Sequence, residues 1–224
     1  METDILKQLL HRLKAGDISV DEVTEKLAAL PFRLMEDAAV DTHRALRLGF
    51  PEVVFGQGKT ADQVVRIAAA LADAGSPVLV TRVNAEQATA VTSAFGESRV
   101  NYDAVARALL VAHEMPRVKG VGTVAVIAAG TSDLPVAREA VFTARALGNR
   151  VDEIFDVGVA GVHRLLAFQD QIRGANVLIV VAGMEGALPS VVGGLVKRPV
   201  IAVPTSVGYG ASFGGIAALL GMLN

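Results

Sequence analysis

The chain has 224 residues and a formal net charge of −2, which suits one large domain or two small ones. Hydrophobic residues make up 52% and charged residues 20%, so a sizeable core is expected and overall disorder is excluded. The sequence contains no stripe of basic residues, so it does not indicate nucleic-acid binding. The absence of cysteine excludes disulfides and thiolate-held metals among these residues.

The N-terminus and the apolar segments bear on localisation. Met1–Asp4 is acidic, unlike the basic start of a secretory signal. Charged or glycine-rich segments interrupt the apolar runs before they reach membrane-spanning length. We therefore expect a soluble, cytoplasmic protein whose partners include neither membrane nor nucleic acid.

Two helices are predicted first in the chain. Apolar residues recur at helical spacing over residues 4–14, and Ser19 with Glu22 has capping-box spacing for a second helix through Leu30. We predict a helical segment over residues 1–31, which would ordinarily serve packing or oligomerisation.

A smaller α/β region is predicted next, over residues 32–119. Ser/Thr/Asn caps and β-branched runs indicate alternating strands and helices. The strands are expected at 52–55, 78–81 and near 99–112, and the helices begin after Thr60 and Asn84.

Regular alternation of strands and helices predicts a C-terminal domain over residues 120–224. Short apolar, β-branched runs between helices are typical of a three-layer, flavodoxin-like α/β fold with a parallel sheet. Right-handed crossovers bring the loops after the strands to one sheet edge, where ligands bind in such folds. The predicted strands are 123–128, 150–155, 177–181 and 200–203, and the helices are 134–147, 160–172, 187–196 and 214–223.

The loop after the first of these strands suits either a phosphate or simple helix capping. Gly130 allows close backbone approach, Thr131 and Ser132 offer hydroxyls, and the following helix start favours an anion. Ser132 or Asp133 could equally be an N-cap, so both interpretations stay open. Asp133 would repel a phosphate, and we predict that it faces a ribose hydroxyl or a cation.

Titratable side chains follow the second strand. Asp156 stands at its end, and His163 could act as an acid, a base or an anion donor near neutral pH. A solvated pair of His163 with Arg164 at a helix start is the alternative.

The loop after the third strand offers a candidate base. Glu185 lies beside Met184 and between Gly183 and Gly186, and these glycines predict close backbone approach to a neighbouring group. Partial burial of the carboxylate would suit proton transfer. An ordinary acidic residue near a helix start is the alternative.

The fourth loop is rich in glycine and hydroxyl groups. Backbone N–H groups near Ser206, Gly208 and Gly210 could form an anion nest, although a mobile connector would have the same composition. Arg47 and Arg82, earlier in the chain, could pair with substrate carboxylates, although surface salt bridges are the commoner role.

Several segments together resemble the LarB family, carboxylases that make the nickel-pincer nucleotide cofactor. The resemblance covers about 41–224 and is carried by 44–56, 80–83, 156–164 and 205–215. Residues 129–133 and 182–189 are also similar to the phosphate loop and the second active-site loop of the related PurE enzymes. Ala187 replaces the catalytic histidine of PurE, which argues against purine synthesis.

The resemblance implies a PurE-like catalytic domain and a specific reaction. Nicotinic acid adenine dinucleotide would be carboxylated with CO2 at pyridinium C5 and its phosphoanhydride hydrolysed, giving pyridinium-3,5-biscarboxylic acid mononucleotide and AMP. Glu185 is the preferred base for C5, Thr131 and Ser132 would bind phosphate, and Asp156 and His163 would line the pocket or assist hydrolysis. The resemblance also suggests a homo-oligomer such as an octamer, and Mg²⁺ is compatible with the hydrolysis step.

In the family the nucleophile is a cysteine thiolate after a Leu-Asn-Ser run. The sequence reads Met222-Leu223-Asn224 at its end, and we expect the natural chain to continue to this cysteine. Two alternatives stay open: a PurE-like carboxylase or mutase acting on an aminoimidazole nucleotide, and a nucleotide-binding scaffold without catalysis.

Overall fold

A computed structural model describes residues 3–28, 32–208 and 211–224, which form two compact units. The N-terminal unit comprises Met1–Tyr102 and Ala108–Glu114, and the C-terminal unit comprises Asp103–Arg107 and Met115–Asn224. The domain boundaries proposed from the sequence stay a prediction.

Two helices, α1 (Thr3–Ala15) and α2 (Val20–Ala28), begin the N-terminal unit. The predicted capping box is present, because Ser19 Oγ accepts the Glu22 N–H at 3.1 Å and the Glu22 carboxylate accepts the Ser19 N–H at 2.8 Å. The predicted helix end at Leu30 lies outside the described residues.

The rest of this unit contains a two-stranded antiparallel sheet of β1 and β2, a four-stranded mixed sheet, and helices. The strand order of the mixed sheet is β3-β4-β6-β5, with β3 parallel and β6 antiparallel to β4. The segment near 99–112 contains two strands. The elements are β1 (Arg33–Leu34), β2 (Ala39–Val40), α3 (Arg44–Leu48), β3 (Val53–Phe55), α4 (Ala61–Asp73), β4 (Val78–Thr81), α5 (Ala85–Phe95), β5 (Val100–Asp103) and β6 (Ala108–Val111).

A parallel sheet forms the centre of the C-terminal unit, with strand order β10-β9-β7-β8 among the described residues. The predicted fold class is therefore confirmed, together with its smaller N-terminal α/β region. Its elements are β7 (Thr123–Ala128), α6 (Leu134–Ala146), β8 (Arg150–Ile154), α7 (Val162–Leu166), α8 (Gln169–Gly174), β9 (Val177–Ala182), α9 (Leu188–Leu195), β10 (Val200–Pro204) and α10 (Ile216–Met222). The helix predicted over 160–172 is wrong as one element, since α7 and α8 replace it.

Both faces of the central strands β7 and β9 are largely buried. Along β7, Ala125 and Ile127 pack with residues of α8 and α9, whereas Val126 and Ala128 pack with residues of α6. Successive side chains of a strand point to opposite faces, so an unbroken apolar run needs a cover on each side. The strand ends are level, since Ala128 pairs with Val181 and Val181 with Val203.

Among the helices that the structure describes, none is both long and apolar enough to cross a bilayer.

A buried amide fastens α5 to the loop after β3. Gln87 is 3% exposed, and its Nε2 donates to the carbonyl oxygens of Gly56 at 2.8 Å and Lys59 at 2.7 Å. Its Oε1 accepts the N–H of Asn84 at 2.9 Å, which completes the capping box.

We predict that Gln87→Leu lowers the free energy of unfolding by about 2 to 3 kcal/mol, because buried carbonyl groups would lose their donor. Urea denaturation followed by circular dichroism measures the change. The exposed neighbour provides a control, and Glu86→Leu should change stability by less than about 0.5 kcal/mol. Equal losses in the two variants would contradict the role assigned to Gln87.

Candidate functional site

Loops at the carboxyl end of the C-terminal sheet surround a cavity of about 520 Å³, which we call the loop cavity. Each of the loops that follow β7, β8, β9 and β10 contributes lining residues, for example Gly130, Asp156, Glu185 and Gly208. Volumes of roughly 300–1,000 Å³ are typical of small-molecule sites. The cavity is therefore the candidate functional site.

A larger cavity, of about 730 Å³, lies in the N-terminal unit. Its lining includes Arg12, Lys26 and Arg33, but none of the site residues predicted from the sequence. We therefore choose the loop cavity as the candidate site by its lining residues and not by its volume.

The structure brings many of the predicted residues together and separates others. The predicted residues that line the loop cavity are Gly130, Ser132, Asp133, Asp156, Gly183, Met184, Glu185 and Gly208. Those that do not are Thr131, His163, Gly186, Ser206, Arg47 and Arg82. Gly210 lies outside the described residues.

The two predicted arginines belong to the N-terminal unit. Arg47 makes two hydrogen bonds to the carboxylate of Asp41, and this contact holds the pKa of Asp41 below its ordinary value. The surface salt bridge considered as an alternative is therefore present for Arg47. A role of Arg47 or Arg82 toward a substrate carboxylate stays a prediction.

Asp133 is buried, with 4% of its surface exposed. Its Oδ2 accepts the N–H of Gly130 at 3.0 Å, and its Oδ1 accepts the hydroxyl of Thr205 at 2.7 Å. Both carboxylate oxygens therefore bond to the protein. Each oxygen already accepts one hydrogen bond within the loops, and the expected contact of Asp133 with a ribose hydroxyl or a cation stays a prediction.

Asp156 forms an ion pair with Arg164 across the loop after β8, with Nη1 and Oδ2 2.7 Å apart. Arg164 lines the loop cavity, whereas its neighbour His163 is exposed and does not. Successive residues of a helix point about 100° apart, so α7 can direct only one of the two side chains inward. The role predicted for His163 stays a prediction, and Arg164 is a further candidate because its guanidinium suits anions.

Glu185 lines the loop cavity but is exposed. The partial burial that would suit proton transfer is not present, because the Glu185 side chain is exposed. The side chain is open to solvent and to a ligand in the cavity.

The glycines beside Glu185 serve contacts within the protein. A Cβ at Gly183 would collide with the Val207 carbonyl oxygen and lie 2.7 Å from Thr205 Oγ1. A Cβ at Gly186 would lie 2.6 Å from the Ala218 carbonyl oxygen of α10. The close approach predicted from these glycines therefore exists, and its partners are neighbouring segments of the chain.

Within the described residues, no three His, Cys, Asp or Glu side chains form a group that could hold a metal ion. The oxygens of Asp133 already accept two hydrogen bonds, and Asp156 is paired with Arg164. A Mg²⁺ ion held by a cage of protein side chains does not fit this arrangement.

Comparisons with known proteins place this geometry in a family. Residues 32–114 match the family model described as the LarB/PurE-like N-terminal domain, and residues 123–224 match the AIR carboxylase model. An uncharacterized protein of Methanocaldococcus jannaschii is 37% identical over 227 residues, which cover 98% of this chain and 87% of that protein. The chain belongs to the LarB family.

This LarB-family chain is also similar to a second protein of the same organism, an N5-carboxyaminoimidazole ribonucleotide mutase. The identity is 36% over 100 residues, which cover 43% of this chain and 59% of that enzyme. The matches confirm the predicted resemblance and the PurE-like domain. They support a carboxylase or mutase type of enzymatic function for the chain.

Met184 has a strained backbone at the wall of the loop cavity. Its φ is +53°, and its side chain is exposed where it lines the cavity. Its N–H donates to the carbonyl oxygen of Val207 at 3.0 Å, which holds the loop in this conformation. A non-glycine residue in the left-handed region costs of order 1 kcal/mol or more, and such strain is common at functional sites.

We predict that Met184→Gly is more stable than Met184→Ala by about 1 kcal/mol, because only glycine adopts this φ without strain. Chemical denaturation of the two variants measures the difference. The control pair Ser190→Gly and Ser190→Ala, in helix α9, should show the reverse order by a similar amount. If alanine were the more stable residue at both positions, the strain at Met184 would be disproved.

Proposed function

We propose that this LarB-family chain converts nicotinic acid adenine dinucleotide, CO2 and water into pyridinium-3,5-biscarboxylic acid mononucleotide and AMP. The observation that carries the proposal is the composition of the loop after β9. Ala187 lines the loop cavity at the position of the PurE histidine, and Glu185 lines the same cavity two residues earlier. The site thus has a methyl group where PurE has an imidazole, and it offers a carboxylate two positions earlier.

The electronic structure of the pyridinium ring requires the site to supply a nucleophile and a base. A pyridinium ring is too electron-poor to attack CO2, so a nucleophile must first add to C4 and leave an enamine that is nucleophilic at C5. C5 then forms the new bond to CO2. Loss of the C5 proton to a base regenerates the enamine, and its nitrogen electron pair expels the nucleophile and restores the aromatic ring. The family resemblance implies that this nucleophile is a cysteine thiolate.

Glu185 is the proposed base for the C5 proton. Its carboxylate is exposed and lines the loop cavity, so it can contact a ring bound there and pass the proton on to solvent. Asp133 and Asp156 line the same cavity, but their carboxylates are engaged by Thr205 and Arg164 respectively. Glu185 is therefore the better placed acidic residue for proton transfer.

Arg164 is the proposed ligand of the substrate's phosphates. It lies on the cavity wall and keeps its ion pair with Asp156 through one of its five N–H groups. A guanidinium can contact a phosphate oxygen and a carboxylate at the same time. The Ser132 hydroxyl and the backbone of Gly208, which line the cavity, would contact the same phosphates. Water then breaks the phosphoanhydride bond, and AMP leaves.

A second candidate is a PurE-like carboxylase or mutase reaction on an aminoimidazole nucleotide. The 36% identity with the mutase of Methanocaldococcus jannaschii favours it. Ala187 opposes it, because a methyl group cannot carry the proton that the PurE histidine moves. The two candidates differ in substrate and are separated by one assay.

We expect protein from the complete gene to form a carboxylated mononucleotide and AMP from nicotinic acid adenine dinucleotide and ¹³C-labelled bicarbonate. Mass spectrometry detects both products, and the label should appear in the mononucleotide because the new carboxylate derives from CO2. N5-carboxyaminoimidazole ribonucleotide is offered in a parallel reaction. Turnover of that compound in place of the dinucleotide would establish the second candidate, and turnover of neither would refute both.

We predict that Glu185→Gln lowers kcat by about 100-fold or more, since general-base catalysis typically contributes that much. KM for the dinucleotide should change little, because the amide keeps the shape of the side chain. Asp170→Asn removes an exposed carboxylate in α8 and serves as the matched control. A kcat for Glu185→Gln equal to that of the control would eliminate Glu185 as the base.

A further inference from the structure

A buried hydrogen bond joins two loops of the cavity that are far apart in sequence. The hydroxyl of Thr205 donates to Oδ1 of Asp133 at 2.7 Å, and each residue is 4% exposed. We call this bond the loop clamp. Asp133 lines the loop cavity, whereas Thr205 stands behind its wall.

The loop clamp links strands that are not neighbours. The sheet order is β10-β9-β7-β8, so the bond between the loops after β10 and β7 passes over the end of β9. Gly183, the first residue after β9, leaves room for it, since a Cβ there would lie 2.7 Å from Thr205 Oγ1. The bond therefore fixes the spacing of loops that the sheet itself does not connect.

The main chain around Thr205 is also held. Its N–H donates to the carbonyl oxygen of Ala182 at 3.0 Å, and two residues later the carbonyl oxygen of Val207 accepts the Met184 N–H at 3.0 Å. The hydroxyl of Thr205 is thereby presented to Asp133 from a fixed position. A valine would fill the same space without the donor.

Asp133 transmits this constraint to the cavity wall. While Oδ1 accepts from Thr205, Oδ2 accepts the N–H of Gly130 at 3.0 Å. Gly130 and Ser132 line the cavity on this side, and Val207 and Gly208 line it on the other. One buried and one partly buried hydrogen bond thus set the distance across which those wall residues face a ligand.

We propose that Thr205 and Asp133 are positioning residues of the nucleotide site. The loop clamp holds the loops 129–133 and 205–208 at the spacing needed to grip the phosphates of the substrate. Thr205 acts without touching the ligand, through Asp133 and Gly130. The identity of the ligand rests on the proposed function, whereas the effect of the loop clamp on loop order does not.

The test compares Thr205→Val, Thr205→Ser and the wild-type protein from the complete gene. We expect Thr205→Val to raise KM and Kd for nicotinic acid adenine dinucleotide by about tenfold or more, because a carboxylate loses a buried donor. Its kcat should stay within about threefold of wild type, since Glu185 and the reacting ring are not altered. Thr205→Ser keeps the hydroxyl and should restore the wild-type KM.

Thr89→Val is the matched control, because it removes a threonine hydroxyl from α5 in the N-terminal unit. It should leave KM and kcat unchanged. A merely structural role of Thr205 would lower the active fraction and hence kcat, with KM unchanged. That result, or an equal effect of the serine and valine variants, would overturn the proposal.

Hydrogen exchange without nucleotide tests the loop clamp independently of activity. Thr205→Val should speed amide exchange in residues 129–134 by about tenfold, because the Asp133 carboxylate loses one of its two anchors. Unchanged exchange there would overturn the proposal. Should Thr205→Val not fold, Asp133→Ala takes its place, because alanine has no acceptor for the Thr205 hydroxyl or the Gly130 N–H. The alanine variant should raise KM as well, and a wild-type KM would refute the positioning role.

The two proposals fail in different ways. Wild-type protein that neither binds nor converts the dinucleotide would refute the proposed function. Faster exchange in Thr205→Val would still show that the loop clamp orders the loops. Normal turnover with an unaffected Thr205→Val variant would refute the positioning role alone.

Discussion

Parallel pairing of strands buried on both faces is the constraint on which the C-terminal unit depends. The apolar side chains of β7 point to both faces of the sheet, so helices pack on each face. Each strand is therefore followed by a helix that returns the chain to the edge where the strands begin. Every loop after a strand then reaches the same edge. The level pairing of Ala128 with Val181 and of Val181 with Val203 makes those loops meet around one cavity.

Much of this arrangement could be predicted from periodicity. Alternating apolar strands and helices indicate the sheet, and its geometry indicates which loops converge. Side-chain direction could not be predicted. The choice between His163 and Arg164 depends on the rotation of a single short helix, and the exposure of Glu185 depends on a loop conformation that no residue pattern encodes. The hydrogen bond between Thr205 and Asp133 joins residues 72 positions apart, and no repeating sequence pattern predicts it.

The comparison with PurE-like enzymes distinguishes the residues that maintain the fold from those that determine the reaction. The same fold hosts different reactions, and the residues that distinguish them stand on loops. Here the loop after β9 keeps its glycines for contacts with neighbouring segments, at Gly183 against Val207 and at Gly186 against Ala218. Positions between and after those glycines carry the side chains that face the cavity. Change at Glu185 or Ala187 can therefore alter the reaction while the packing of the loop stays the same.

The crossing of a side-chain hydrogen bond over the end of β9 makes three loops mutually dependent. Gly183 must remain without a side chain for Thr205 to reach Asp133. The segment that carries Glu185 and the segments that carry Asp133 and Thr205 therefore share one packing arrangement. A designer who wished to admit a bulkier substrate could not widen one loop alone. Remodelling of the loop cavity in this chain has to treat residues 133, 183 and 205 as a set.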